Sequence, residues 1–427
     1  MAGDGWSQLP LGEVCEIIMG QSPPGSTYNE NRVGLPFYQG AADFGPRFPT
    51  RRVWCSAPSR IAEAGDILLS IRAPIGDVNL ASEKCAVGRG LAIVRARRKE
   101  DQTFVEFALR AARYDWESME GSGTVFANAT RSQLERLAIP WFNAESRQAI
   151  AHILSSLDDK IELNRRMNQT LEDICRALFK FWFVNFGPVR AKQEGRWKKG
   201  ESLPGMPANM WDLWPSEFEE SEIGEIPKGW KPVSLTEIAS LLTGGTPSTA
   251  EPAYWNGGIP WVSGKDVSAA KGGFIIQTER TITGEGVENS ATALLPARTV
   301  VITARGTVGA LGVIASDMCI SQTNYGLKAL DGIGDNFLLF TVGNAIDQLQ
   351  RASYGTIFDT ITTRNLQATI VVLPPEPLRS EFELRTHFLM ERVLLKLHEG
   401  KTLASTRDAL LPKLLSGEIR VPVDEGK

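Results

Sequence analysis

Apolar residues recur along this chain in two different periods, and the switches between them divide it. From Glu145 to Phe186 the positions Ile150, Leu154, Leu157, Ile161, Asn164, Asn168, Leu171, Cys175, Leu178 and Trp182 follow one another in alternating steps of four and three. That is the spacing of a heptad seam on one face of a helix. Such a helix runs about 60 Å at ~1.5 Å per residue, more than a small globule needs, so it is expected to act as a spacer. A weaker seam through Phe382, Leu389, Val393, Leu403, Leu410 and Leu414 predicts a second helix, interrupted at Gly400 and Pro412. Elsewhere the period shortens. Runs such as Asp66-Ile-Leu-Leu-Ser-Ile71, Leu91-Ala-Ile-Val94, Thr299-Val-Val-Ile-Thr303 and Thr369-Ile-Val-Val-Leu373 read as strands between Gly/Pro turns. The expected organisation is an α+β globule over 1–144, a helical spacer over 145–186, a proline-rich charged linker or crossover over 187–228, a second α+β globule over 229–375 and a second helical spacer over 376–427. Asn164 and Asn168 occupy seam positions where apolar residues would be more stable, the device that fixes register in coiled coils. The seam is expected to stay uncovered by the globules and to bind protein partners.

The chain is also written twice. Trp6, Leu11, Glu13 and Gly20 match Trp230, Leu235, Glu237 and Gly244, each 224 residues later, and Gly34-Leu-Pro-Phe-Tyr-Gln-Gly40 matches Gly258-Ile-Pro-Trp-Val-Ser-Gly264 at that separation. Ser70-Ile-Arg72-Ala-Pro-Ile-Gly76 answers Thr303-Ala-Arg305-Gly-Thr-Val-Gly309 at 233, so length changes fall in loops between the blocks. Gly123-Thr-Val-Phe126 answers Gly355-Thr-Ile-Phe358 at 232, and Thr130, Leu134, Leu171, Ala177 and Leu178 keep that spacing to Thr362, Leu366, Leu403, Ala409 and Leu410. Two copies make no solenoid. They predict two similar domains about an approximate two-fold axis, suited to something itself nearly symmetric, such as duplex DNA.

Charge does not by itself point to nucleic acid: the net charge is −4 and the pI about 5.7. Residues 1–144 hold 16 basic and 16 acidic side chains and residues 229–375 hold 9 and 11, so a DNA-binding face must come from placement rather than bulk. Arg47, Arg51 and Arg52 form one local cluster, and Arg95, Arg97, Arg98 and Lys99 another; a solvated face is the simpler reading of either run. The five cysteines form no CxxC pair and the three histidines lie far from them, which argues against structural zinc and a disulfide framework. There is no GxxxxGK[ST] phosphate loop, and neither Pro23-Pro24 nor Pro374-Pro375 is preceded by the Asn or Asp that an adenine methyltransferase needs. Asp66, Asp77 and Lys84 could be arranged as a nuclease centre, but Asp66 aligns with Thr299 in the second copy. No catalytic or metal-binding residues are expected. No apolar stretch reaches membrane-spanning length and the first residues lack a secretory pattern, so a cytoplasmic protein without membrane contact is expected.

The paired openings Trp6 to Gly20 and Trp230 to Gly244, the Arg-x-x-x-Gly elements at Arg72 and Arg305, and the Gly-Thr-[Val/Ile]-Phe turns resemble the specificity subunits of type I restriction-modification enzymes. Leu171-Glu-Asp-Ile-Cys-Arg-Ala-Leu-Phe-Lys-Phe-Trp-Phe-Val184 and Arg407-Asp-Ala-Leu-Leu-Pro-Lys-Leu-Leu-Ser-Gly-Glu-Ile419 are similar to the endings of that family's two helical regions. The resemblance implies an α+β fold of two repeated target-recognition globules, held apart in pseudo-two-fold fashion by two long antiparallel helices acting as a coiled-coil spacer. It implies a non-catalytic subunit that reads a bipartite target in double-stranded DNA and docks two modification (methyltransferase) subunits, with restriction subunits (translocase and nuclease) adding cleavage. S-adenosylmethionine, ATP and Mg would belong to those partners, with no cofactor in this chain.

Base reading needs side chains with paired donors and acceptors, best supplied by loops. The candidates in the first domain are Gln21, Ser22, Tyr38, Gln39, Arg47, Arg51, Arg72 and Arg89; in the second they are Thr246, Ser263, Lys265, Asp266, Arg305, Gln322, Asn324 and Tyr325. Arg72 and Arg305 recur in both copies, which suits a phosphate contact better than a choice of base. For partner docking the candidates are Ile150, Leu154, Leu157, Ile161, Asn164, Asn168, Leu171, Leu178, Leu403, Leu410 and Leu414. A solitary DNA-binding scaffold and a two-domain hydrolase are the alternatives; the hydrolase would need convergent acid, base or nucleophile residues, and His152, His387 and His398 sit at unmatched repeat positions.

Overall fold

A computed structural model describes residues 6–112, 128–352 and 360–422; the repeated turns at Gly123–Phe126 and Gly355–Phe358 lie outside the described residues. The chain divides into two compact units, one formed by residues 1–163 with 400–427, the other by 164–399.

In the first unit an antiparallel sheet runs in the order β1 (Cys15–Met19), β6 (Leu91–Ala96), β3 (Ile67–Ser70) and β4 (Val78–Leu80). A second sheet centres on β2 (Leu35–Tyr38), which pairs in parallel with β5 (Cys85–Val87) through Phe37 and Ala86. Ile67, Leu69, Val94, Phe104 and Phe107 bury their side chains between the first sheet and the helix Gln102–Ala111. The second unit repeats the plan. Its larger sheet runs β7 (Ala239–Thr243), β13 (Asn324–Ala329), β10 (Val300–Thr303), β11 (Leu311–Ile314) and β9 (Phe274–Ile275), while β8 (Trp255–Val262) pairs in parallel with β12 (Met318–Ile320) through Trp261 and Cys319. The sequence matches have local causes. Thr130 and Thr362 are N-caps whose hydroxyls accept from Gln133 N at 3.4 Å and Asn365 N at 3.2 Å. Leu134 and Leu366 are the buried residues of the short helices so capped.

Two long helices contribute to both units: Ala144–Phe179, and Glu376–Leu415, which runs without a break through the expected interruptions at Gly400 and Pro412. Glycine inside a helix costs only ~1 kcal/mol, and Pro412 forgoes a single main-chain bond, to the carbonyl of Asp408, shortly before the helix ends at Leu415. In each unit the helices pair antiparallel. Asp158, 4% exposed, accepts from Arg407 at 2.6 Å and from Arg110 at 2.5 Å in the first unit. In the second, Asn164 donates to Glu399 at 3.1 Å and Phe179 packs edge-on against Phe382. Asn164 thus makes the kind of interhelical polar bond that sets register.

The seam is not an uncovered surface. Ile150, Leu154 and Leu414 are buried in the first unit's core, Asn164, Asn168 and Cys175 are buried in the second unit, and Leu157, Ile161, Leu171, Leu178, Leu403 and Leu410 are half-buried. The heptad pattern records which face turns towards the globule and the other helix, both supplied by this same chain. Residues 187–228 likewise depart from the expected linker. They carry the helix Gly187–Gln193 and the hairpin Phe218–Ser221/Gly224–Pro227. Trp197, Met206, Met210, Trp214 and Ile226 join Trp182, Phe183 and Phe382 in an aromatic core. Lys192 lies 4.1 Å from the centre of the Trp211 ring and donates to the Trp211 and Trp214 carbonyls at 2.6 Å each. The tryptophans outweigh the prolines, which merely shape the turns. Among the described residues no helix is long and apolar enough to cross a membrane.

Candidate nucleic-acid interface

Four loop segments meet at one edge of the first globule. Gln21 N donates to the Val87 carbonyl at 3.0 Å, Gly88 N to Tyr38 at 2.8 Å, Gly90 N to Gln39 at 3.0 Å and Ile71 N to Gly90 at 3.0 Å. Arg89 N donates to Ser22 Oγ at 3.2 Å. These bonds gather Gln21, Ser22, Gln39, Arg72 and Arg89 around the turn Gly88-Arg89-Gly90. The approach is close enough to exclude side chains: a Cβ on Gly20 would stand 2.1 Å from the Gly88 oxygen.

The second globule repeats three of these four main-chain bonds and the bond to the loop hydroxyl. Gly245 N donates to Ile320 at 3.0 Å, Ser321 N to Val262 at 2.9 Å and Ala304 N to Thr323 at 2.8 Å. Gln322 N donates to Thr246 Oγ1 at 3.5 Å, and a Cβ on Gly244 would stand 2.2 Å from the Ser321 oxygen. Thr246, Ser263, Arg305 and Gln322 therefore occupy the places of Ser22, Gln39, Arg72 and Arg89. The matching of Gly20 with Gly244 thus has a physical origin in this shared backbone contact.

Arg72, Arg89, Arg305 and Gln322 are exposed, and among the described residues their side chains enter no ion pair or hydrogen bond. Arg60, which the sequence reading missed, is a further exposed guanidinium without an ion pair or hydrogen bond among the described residues; its carbonyl accepts from Val87 N at 3.0 Å beside the turn. It stands in a turn with no match in the repeat, so nothing in the pattern marks it.

Other candidates serve the fold. Tyr38 is 1% exposed on β2, and burial pushes its phenol up to about 12. Asn324, also 1% exposed, donates to the Val262 carbonyl at 3.1 Å. Tyr325 is half-buried on β13 opposite Ile302 and packs on the core. Arg47 is tied to Asp159 at 2.5 Å. Arg51 pairs with Glu83, and Lys265 with Glu279 at 2.7 Å. Asp266 accepts from Ser263 N at 2.8 Å and Glu279 N at 3.0 Å, while Ser263 caps the helix Gly264–Ala270. Asp66, considered for nuclease chemistry, is buried and held by Arg95 at 2.8 and 2.6 Å. Sequence reasoning found the loops but could not tell which of their residues the fold itself consumes.

Chemically, the two clusters offer unpaired guanidinium and carboxamide groups. Among the described residues no group of His, Cys, Asp and Glu could hold a metal ion. Burial pushes the Cys15, Cys85 and Cys175 thiols up to about 12, so none is a thiolate nucleophile at neutral pH. Such a surface is chemically suited to anionic, hydrogen-bonding ligands.

A different surface is apolar. Leu384, Phe388 and Leu395 of the second long helix are 60%, 70% and 67% exposed and share one helical stripe; Ile174 of the first long helix is 48% exposed.

The family model for the type I restriction modification DNA specificity domain matches residues 3–173 and again 227–377. The specificity subunit of the HindI type I restriction enzyme of Haemophilus influenzae is 28% identical over 337 residues, 70% of this chain and 72% of that one. The MjaIX specificity subunit of Methanocaldococcus jannaschii is 27% identical over 398 residues, covering 88% and 83%. A chain described as the MjaX specificity subunit of the same organism is 37% identical over 190 residues, and this match spans 44% of each chain. The crystal structure of a type I restriction-modification S subunit from M. genitalium shares the fold over 97% of both chains, with a TM-score of 0.58 at 14% identity.

Proposed function

The chain belongs to the type I restriction-modification DNA specificity family, and we propose on that premise that it is the non-catalytic subunit that reads a bipartite target in double-stranded DNA for a methyltransferase complex. The observation that carries the reading is the duplicated loop cluster. Two turns, held by equivalent main-chain bonds in each globule, expose Arg89 beside Arg72 and Gln322 beside Arg305. Each cluster takes one half-site. Phosphate contacts by the arginines supply affinity despite the net charge of −4, because local placement and not total charge meets the backbone.

The partners are two modification subunits, which bring S-adenosylmethionine, and restriction subunits, which bring ATP and Mg; all would meet this chain in the cytoplasm. For docking, the stripe of Leu384, Phe388 and Leu395 replaces the buried seam, since large exposed apolar side chains in a row mark interaction surfaces.

Single-molecule methylation sequencing of cells carrying this chain with its neighbouring methyltransferase, against cells lacking the chain, tests the reading. Loss of one adenine-methylated motif whose halves are separated by a fixed gap is expected. Unchanged methylation in an expressed system would leave a scaffold without this role.

A further inference from the structure

We infer that Arg89 and Gln322 are the base-reading pair of the two half-sites, while Arg72 and Arg305 hold DNA backbone; this rests on the reading proposed above. The argument is internal to the repeat. A residue that grips phosphate does the same task in both halves, so its chemistry has no reason to differ between them. A residue that selects a base must differ wherever the half-sites differ. Arg72 and Arg305 are identical. Arg89 and Gln322 are not, although they occupy one place: each main-chain N–H donates to a hydroxyl of the first loop, Ser22 at 3.2 Å and Thr246 at 3.5 Å. Each also stands one residue after a turn N–H, Gly88 or Ser321, that is tied to the equivalent strand end, Tyr38 or Val262.

The other positions of the cluster cannot serve both halves. Gln21 corresponds to Gly245, which has no side chain, and Gln39 to Ser263, whose hydroxyl is engaged in capping at Asp266. Apart from the identical pair Arg72 and Arg305, only the turn position carries in both globules, among the described residues, an exposed and unpartnered side chain with a fork of polar atoms. The guanidinium fork matches O6 and N7 of guanine, and the carboxamide matches N6 and N7 of adenine. One half-site therefore contains a guanine read by Arg89, and the other an adenine read by Gln322.

The test exchanges them. In cells with the complete complex, R89Q is expected to alter one position of one half-site from G·C to A·T, or to make that position degenerate, and to leave the other half unchanged. Q322R should do the reverse in the other half, from A·T to G·C. R72A should lower methylation without changing the motif. With the purified complex, discrimination at the altered position should fall by about 5- to 150-fold in a binding series on duplexes carrying each base in turn. An unchanged motif, changes at several positions, or a uniform weakening over all duplexes, the mark of a phosphate contact, overturns the assignment. The binding series decides equally if R89Q abolishes methylation in cells. Absence of any split motif with the unaltered chain would instead overturn the family-based reading.

Discussion

Leu154→Ala separates the buried seam from the docking surface. Leu154 is 0% exposed in the first unit's core, in a cluster that also holds Ile150, Phe104, Leu414 and Leu415. Removing the equivalent of three methylenes forfeits ~2.4 kcal/mol at ~0.8 per group. The cavity left among side chains of two helices and a sheet raises the loss to about 3–4 kcal/mol, within the range of ~2–5 measured for such truncations. For a body the size of the first unit that lowers its melting temperature by about 6–16 °C, at ~2–4 °C per kcal/mol. The assay is calorimetry of the isolated chain beside co-purification with the methyltransferase subunit at a temperature where the variant stays folded. The variant should melt early and yet bind its partner. Normal melting together with lost partner binding would refute the burial argument and restore the seam as the docking surface.

The complementary change, Phe388→Asp, alters a side chain that is 70% exposed; stability should move by less than ~0.5 kcal/mol while co-purification with the methyltransferase subunit is lost, both read on one preparation. Gly20→Ala would force a Cβ to within 2.1 Å of the Gly88 oxygen, costing about 1–3 kcal/mol as overpacking does and displacing Arg89, so methylation sequencing should show weakened choice in one half-site only. Glu383 is raised above its ordinary 4.5 by burial, against the bonds it accepts from Asn336 and Phe337 N. The folded chain then keeps this proton to higher pH than the unfolded one, so its contribution is greatest below 4.5 and declines as pH rises through the folded value. Glu383→Gln should remove that decline, and urea titrations of the two proteins in a pH series upward from 4.5 should show the variant gaining relative stability.

The repeat, the two long helices and the absence of catalytic motifs were legible in the sequence because each depends on local spacing. A heptad pattern reports a helix face whatever covers it, and equal separations between Thr130 and Thr362, or Gly20 and Gly244, report equal local structure. The tertiary structure alone decided what covers those faces. Nothing in the spacing of Leu154 distinguishes a partner from the chain's own globule, and nothing in Pro204, Pro207 and Pro215 reveals that Trp197, Trp211 and Trp214 close around Lys192. The same holds for the loops. Composition nominated Tyr38, Arg47, Asn324, Arg72 and Arg89 alike, because exposure and pairing arise from contacts distant in sequence. The fold buried or paired the first three and left Arg89, on a turn tied to three other segments, and Arg72 beside it without a side-chain partner among the described residues.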